Sequence, residues 1–149
     1  SWATARGYLS YQPHGFVSKK EYEALEFLKS QQDGVVLTYP YDSKLKNKIA
    51  EPWSLLVYDS TAYVSALSEK QSFIEDEGQN QILLTDYKKR LVASNDFFMG
   101  PNSQKIEFLR KNNIKYVYIP KIFNQRIDES SGIKNIFENE EVIIYGVIN

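Results

Sequence analysis

The sequence contains no cysteine and a single histidine, His14. Without cysteine the chain can form no disulfide, no thiolate metal site and no cysteine nucleophile. One histidine excludes a metal site built from several histidines, and we expect His14, between Pro13 and Gly15, to be a loop residue without a catalytic role. The two side chains that most often carry catalysis are therefore nearly absent.

An excess of either charge and long apolar runs are also missing. The 18 basic and 19 acidic residues leave a net charge of −1, whereas nucleic-acid-binding domains usually carry a basic excess, so no nucleic-acid partner is predicted. No stretch approaches the ~20 apolar residues of a transmembrane helix. The first thirty residues lack the apolar core of a signal peptide. The residues present therefore predict a soluble chain.

The glycines form no phosphate-binding or nucleophile motif. The turn after the first predicted strand is Pro40–Tyr41–Asp42–Ser43 instead of a G-x-G-x-x-G loop. The chain also lacks a Walker A loop and a G-x-S-x-G elbow. We therefore predict no catalytic residue, no cofactor and no bound metal.

Helical and strand patterns alternate along the chain. Ser18 and Glu21 form an N-terminal capping pattern for a helix from about Lys19 to Gln32, which Gly34 would end in a left-handed conformation. A buried strand, Val35–Tyr39, follows. Further elements are predicted as a helix at 61–67 capped by Ser60, a strand at 71–75, helices at 86–98 and 103–112, a strand at 114–119, and a hairpin formed by 133–138 and 141–148.

Strands separated by helices predict crossover connections and a parallel sheet. The sequence thus predicts a small three-layer, Rossmann-like α/β domain with a mainly parallel sheet and a C-terminal antiparallel hairpin. Residues 18–149 would form this domain. Residues 1–17 show no clean periodicity, so we expect them to be an N-terminal arm.

Four residues near predicted strand and helix ends are candidate ligand contacts, namely Tyr41, Asp42, Asp59 and Asp76. Open α/β sheets bind ligands at the carboxyl ends of their strands. With the neighbouring Glu75 and Glu77, these carboxylates could build a hydrolase or a hard-cation site. The alternative is that they cap helices and solvate turns.

Aromatic side chains gather in the same region. Tyr39, Tyr41, Trp53, Tyr58 and Tyr63 lie within one segment. Such rings can stack on sugars, although aromatic clusters also form cores and interfaces.

Several segments resemble one family. They are STAYVSALSEKQSFIED at 60–76, YKKR at 87–90 with Phe97–Phe98, FLRKNNIKYVY at 108–118, and IFEN at 136–139 followed by VIIY at 142–145. EALEFL at 23–28 and VVLT at 35–38 fit the start of the same domain. Together they resemble the soluble C-terminal domain of bacterial polytopic membrane proteins of the GT-C glycosyltransferase type.

The resemblance implies a role but no catalytic residue. In that family the domain follows membrane helices, lies at the extracytoplasmic face, and covers an active site whose catalytic acid belongs to the membrane part. The chain would then be a non-catalytic accessory domain of a glycosyltransferase, with residues 1–17 as linker. Its partners would be the upstream transmembrane helices, with a glycan or lipid-linked sugar as ligand. The alternatives are a stand-alone carboxylate-dependent hydrolase or metal-binding enzyme, and a protein-interaction module.

Overall fold

The computed structural model describes residues 15–76, 79, 86–130 and 132–148. Within them it contains four α-helices and six β-strands. The helices are α1 (Lys19–Ser30), α2 (Tyr63–Ser68), α3 (Tyr87–Met99) and α4 (Asn102–Lys111). The strands are β1 (Gly15–Phe16), β2 (Val35–Thr38), β3 (Trp53–Ser54), β4 (Ile114–Pro120), β5 (Ile133–Glu138) and β6 (Val142–Val147). In the described part of the chain, no helix has the length and apolarity that crossing a bilayer requires.

The main sheet has four strands in the order β2-β4-β6-β5. β2 and β4 are parallel, whereas β4–β6 and β6–β5 are antiparallel. The predicted α/β class is confirmed, but the prediction of a mainly parallel sheet is wrong. A parallel pair needs a long crossover connection. The chain between β2 and β4, which contains α2, α3 and α4, provides one. The short turn between β5 and β6, in contrast, forms the predicted hairpin and makes that pair antiparallel.

The strand predicted at 71–75 is reduced to a single bridge. Ser72 pairs with Val36 in parallel, held by the bonds Val36 N–H to Gln71 O and Phe73 N–H to Val36 O. A second, two-stranded sheet pairs β1 with β3. The last residues of the predicted arm, Gly15–Phe16, therefore contact the domain.

Helices cover both faces of the main sheet, because alternate strand residues point to opposite sides. On the α1–α2 face, Tyr118 of β4 and Ile144 of β6 pack with Leu25, Leu28 and Val64. The α3–α4 face buries a second cluster, which includes Val117, Ile119, Ile143, Phe97, Phe98 and Leu109. The two buried clusters share one sheet and hold the strand ends in place.

Helix α1 begins as the sequence predicts and ends differently. The hydroxyl of Ser18 accepts a hydrogen bond from the N–H of Glu21 at 3.0 Å, which is the predicted N-cap. The helix ends at Ser30, and the N–H of Gln31 bonds to Leu28 O. Gly34 does not adopt the predicted left-handed conformation, since no described glycine has a positive φ. A Cβ on Gly34 would instead lie 2.4–2.8 Å from the Lys115 side chain, so glycine permits this close approach.

Candidate functional site

The carboxyl ends of β2 and β4 border a narrow cleft. Because these two strands are parallel, their ends meet at one edge of the sheet, which is where open α/β sheets bind ligands. The edge cleft has a cavity volume of about 60 Å³. The residues that line it are Thr38, Tyr39, Pro40, Tyr41, Leu56, Tyr58, Asp59, Thr61, Tyr63, Val64, Ile74, Glu75, Asp76, Leu91, Tyr118, Pro120 and Phe123.

Aromatic rings form one wall of the cleft. The Tyr39 ring stacks on Phe123 with centroids 4.0 Å apart and tilts against Phe98 at 4.7 Å. Burial, followed by the nearby charge of Asp42, raises the pKa of the Tyr39 hydroxyl. The Tyr39 ring is thus held in place by the rings of Phe123 and Phe98, and its hydroxyl stays protonated at neutral pH.

A buried carboxyl group lies beneath the cleft. Glu21, on α1, is only 3% exposed. Its Oε1 accepts hydrogen bonds from the hydroxyls of Tyr63 at 2.6 Å and Tyr118 at 3.2 Å, and Ser54 donates to its Oε2 at 3.5 Å. Four elements, α1, β3, α2 and β4, therefore meet at one carboxyl group.

Burial controls the protonation of this cluster. Loss of solvation raises the pKa of Glu21, although the tyrosine hydrogen bonds oppose the effect. Burial also raises the pKa values of Tyr63 and Tyr118 well above their usual range, and the negative charge of Glu21 adds to both shifts. The two phenols are therefore fixed as donors to Glu21, and their rings form part of the cleft surface.

A second carboxyl group caps helix α2. Glu75 accepts hydrogen bonds from the N–H groups of Val64 at 2.8 Å and Ser65 at 3.0 Å, so it neutralises the positive end of the helix. The prediction that Ser60 caps this helix is wrong, because the helix starts at Tyr63 and has no side-chain cap at the preceding Ala62. Burial raises the pKa of Glu75, against the effect of these two hydrogen bonds.

Three of the four predicted ligand contacts line the cleft. Tyr41, Asp59 and Asp76 are among its lining residues, and Asp42 is not. The carboxylate of Asp42 instead accepts a hydrogen bond from the N–H of Lys44 at 2.9 Å in the following turn. Asp76 has a left-handed backbone with φ 53° and accepts from the N–H of Gln79 at 3.1 Å. Three of the predicted residues therefore meet at this edge, and Asp42 lies outside the cleft lining.

The carboxylates predicted for a hydrolase or a metal site come together only in part. Asp59 and Asp76 share the cleft with Glu75, whose two oxygens already accept the α2 amides. Glu77 and His14 lie outside the described residues. Across the ranges that the structure describes, no three histidine, aspartate or glutamate side chains are grouped to hold a metal ion.

Sequence reasoning missed Glu21 as a member of the site. The capping pattern with Ser18 accounted for this residue, so its side chain was assigned to the helix end. A signal was present, however, because Glu21, Leu25 and Leu28 follow the i, i+4, i+7 spacing of one helix face. A carboxylate on an otherwise apolar helix face needs buried partners, and Tyr63 and Tyr118 provide them.

The fold is similar to that of a known globular domain. The crystal structure of the C-terminal globular domain of oligosaccharyltransferase from Archaeoglobus fulgidus matches it with a TM-score of 0.58 and 11% sequence identity. The match covers 89% of this chain and 99% of that domain. At this identity the likeness shows a shared fold. No protein-family model and no curated protein sequence matches the chain.

Proposed function

We propose that this chain is the globular C-terminal domain of a bacterial polytopic membrane protein of the GT-C glycosyltransferase type, and that the domain itself is not catalytic. The observation that carries the proposal is the extent of the fold match. It covers 99% of a domain that belongs to an oligosaccharyltransferase. The match also extends over 89% of this chain, which supports the proposal that the chain is a domain of that kind.

The rest of the parent protein is part of the proposal. Residues 1–17 would link the domain to preceding transmembrane helices, and residues 18–149 would form one extracytoplasmic domain at the bacterial cell membrane. Helices on both faces of the sheet support a three-layer arrangement of the Rossmann-like kind. The role of such a domain is to cover the membrane active site and to help hold the acceptor or the glycan.

The edge cleft is the surface that would serve this role. Rings such as Tyr39 and Tyr58 offer apolar area beside polar tips, which suits contact with a sugar that lies across the opening of the cleft. Its hydrogen-bonded floor, Tyr63 and Tyr118 on Glu21, holds two of the lining rings at fixed positions. Fixed rings lower the entropy lost when a ligand binds.

The first test asks whether the domain has turnover of its own. The purified chain is incubated with lipid-linked and nucleotide-linked sugars, with acceptor peptides and with glycosides, and products are followed by mass spectrometry. We expect neither transfer nor hydrolysis. Turnover that disappears in Asp59→Asn would contradict the proposal and favour the carboxylate-dependent enzyme.

The second test concerns the parent protein. We expect the gene to encode, upstream of Trp2, several apolar segments of ~20 residues, the length that spans a bilayer. The full-length protein should then fractionate with membranes, and a protease added outside spheroplasts should release this domain. A start codon close to Ser1 would contradict the membrane parent, as would protection of the domain from the external protease.

A further inference from the structure

A lysine ammonium lies against two aromatic rings, one of which lines the edge cleft. The Nζ of Lys46 is 5.0 Å from the centroid of the Trp53 ring and 4.7 Å from that of Tyr58. The two rings meet edge to face, with centroids 6.4 Å apart and an interplanar angle of 68°. We call Trp53 and Tyr58 the aromatic seat. Both distances are within the ~6 Å over which a ring attracts a cation.

The aromatic seat holds this cation without help from a carboxylate. Among the residues that the structure describes, Lys46 takes part in no ion pair. It reaches the rings from the short helical turn Leu45–Lys48. Such a contact reflects the electrostatic attraction of the ring faces for a positive group, so the position of Lys46 indicates that the aromatic seat favours a cation.

The aromatic seat continues into the edge cleft through Tyr58, which belongs to both. The charged residues that line the described part of the cleft are all acidic, namely Asp59, Glu75 and Asp76. Both oxygens of Glu75 already accept the α2 amides, so the attraction for a cationic group across this partly desolvated site comes mainly from Asp59 and Asp76. The same charges disfavour a phosphate or pyrophosphate.

The volume of the cleft limits what can enter. About 60 Å³ is less than half of the ~150 Å³ of an engineered cavity that binds benzene. This space suits an ammonium group with a carbon or two, and it is too small for a sugar ring. A ligand would therefore insert its charged substituent and leave its larger part on the aromatic rim.

We propose that the aromatic seat and the edge cleft together bind the alkylammonium group of a ligand, and that Lys46 occupies the seat until the ligand displaces it. The inference deepens the proposed function and rests on it for the source of the ammonium group, which would be an amino sugar of the acceptor or glycan. A phospholipid headgroup carries the same chemistry and is the source to be distinguished from it.

The test compares ligands that differ in whether they carry an ammonium group, and in whether a sugar or a lipid headgroup fragment carries it. Glucosamine, N-acetylglucosamine and ethanolamine are titrated into the chain carrying Trp2→Phe, and the indole N–H resonance of Trp53, then its only tryptophan, is followed by NMR. We expect saturable shifts with glucosamine below the pKa of its amine, and none with N-acetylglucosamine. Raising the pH above that pKa should abolish the glucosamine shift.

Two substitutions test the assignment of residues, and a third serves as their control. Lys46→Gln removes the internal competitor and should tighten glucosamine binding about two- to fivefold, from the size of an exposed cation–π contact. Asp59→Asn should weaken binding by a similar factor. Lys88→Gln, on the exposed side of α3, removes an equal charge away from the cleft and should change nothing. Weaker glucosamine binding in Lys46→Gln would contradict the proposal that the ligand displaces Lys46 from the aromatic seat.

The outcomes separate this inference from the proposed function. Equal binding of glucosamine and N-acetylglucosamine would overturn the ammonium assignment and leave glycan binding in place. Binding of ethanolamine without glucosamine would support the aromatic seat and contradict the glycan source. A Trp53 resonance that responds to pyrophosphate, or to neither amine, would overturn the inference, whatever the turnover assay and the upstream sequence show for the parent.

Discussion

Both faces of the main sheet bond buried polar side chains to backbone carbonyls, but the α1–α2 face adds a cluster of side chains that bond to one another. On the α3–α4 face, the Nζ of Lys105 donates to Phe97 O and to Gly100 O, and the hydroxyl of Tyr145 accepts from the Ile127 N–H. These bonds end a helix and fix a loop. On the α1–α2 face, three side-chain hydroxyls instead converge on the side chain of Glu21.

This difference distinguishes bonds that stabilise the fold from bonds that position the candidate site. A side chain that bonds to backbone completes one element locally, whereas a cluster of side chains ties several elements to one point. Buried polar clusters fix a specific arrangement only when every member is satisfied. The cluster lies directly under the edge cleft, and two of its members, Tyr63 and Tyr118, line it. We therefore expect the α1–α2 face to fix the floor of the cleft through this cluster, whereas the α3–α4 face contributes to the cleft through the packing of Tyr39 on Phe98.

The strongest test of the comparison truncates one core leucine on each face. Leu25 and Leu109 are both fully buried. Leu25→Ala and Leu109→Ala should each lower the free energy of unfolding by about 2–5 kcal/mol, because each loses apolar burial and leaves a cavity. Urea unfolding followed by circular dichroism measures both. Two separate transitions in either variant would contradict a single sheet stabilised from both sides.

Removing one hydroxyl from the Glu21 cluster should cost less. Tyr63→Phe deletes the 2.6 Å hydrogen bond to the carboxyl group, so at pH 8 we expect a loss of about 1.5–3 kcal/mol. Tyr116→Phe is the matched control, because its hydroxyl donates at 2.6 Å to the neutral Gln32 O on the same face. That control should lose about 0.5–1.5 kcal/mol.

The outcome for Tyr63→Phe should extend to the cleft. The Trp53 indole resonance is expected to shift in Tyr63→Phe and to stay in place in Tyr116→Phe, since only the first residue lines the cleft. Equal losses of stability in the two variants, with no change at Trp53, would show that the cluster has no special link to the site.

The pH dependence should have opposite signs for a buried and a surface glutamate. Burial raises the pKa of Glu21 above its ordinary 4.5, so its contribution to stability is present below pH 4.5 and is lost as the pH rises through the raised value. Hydrogen bonds from Arg126 and Lys121 lower the pKa of Glu138 to about 2. Its contribution is therefore present above pH 4.5 and is lost as the pH falls towards 2.

Thermal unfolding of the wild type, Glu21→Gln and Glu138→Gln between pH 2 and 8 measures these contributions. The stability of the wild type relative to Glu21→Gln should fall as the pH rises above 4.5. Relative to Glu138→Gln it should rise between pH 2 and 4.5. A Glu21→Gln curve that runs parallel to the wild-type curve would mean that the carboxyl group of Glu21 is solvated in the folded protein.

Local patterns predicted most of the elements. The N-cap at Ser18, the buried strand at Val35–Thr38 and the hairpin around Asn139 each depend on residues close in sequence, and all are present. The strand directions were less accessible, because pairing depends on which distant segments meet. The mixed sheet depends on where the long crossover between β2 and β4 places β4 in the sheet. The hydrophobic periodicity of a single segment does not determine that position.

The site was predicted at the level of its edge and its aromatic rings. Tyr41, Asp59 and Asp76 follow from the rule that strand ends collect ligands. The floor was not predicted, because Glu21 and Tyr118 are 97 residues apart. Glu75 likewise replaces Ser60 as the cap of α2 through a contact across the turn between them. Such contacts become visible only when the sheet has placed both partners.

The smallest expected effect concerns two serines, one for each face. Ser94 in α3 and Ser68 at the end of α2 are fully buried, and neither hydroxyl has a hydrogen-bond partner among the described residues. Ser94→Ala should raise the free energy of unfolding by about 0.5–1.5 kcal/mol, because it removes an unsatisfied hydroxyl and introduces the best helix former. Ser68→Ala should raise the free energy of unfolding by less, because helix propensity has little effect at the last residue of a helix. Urea unfolding measures both changes. Destabilisation by Ser68→Ala together with stabilisation by Ser94→Ala would mean that the α1–α2 face uses this hydroxyl too, and its polar cluster would then extend beyond Glu21.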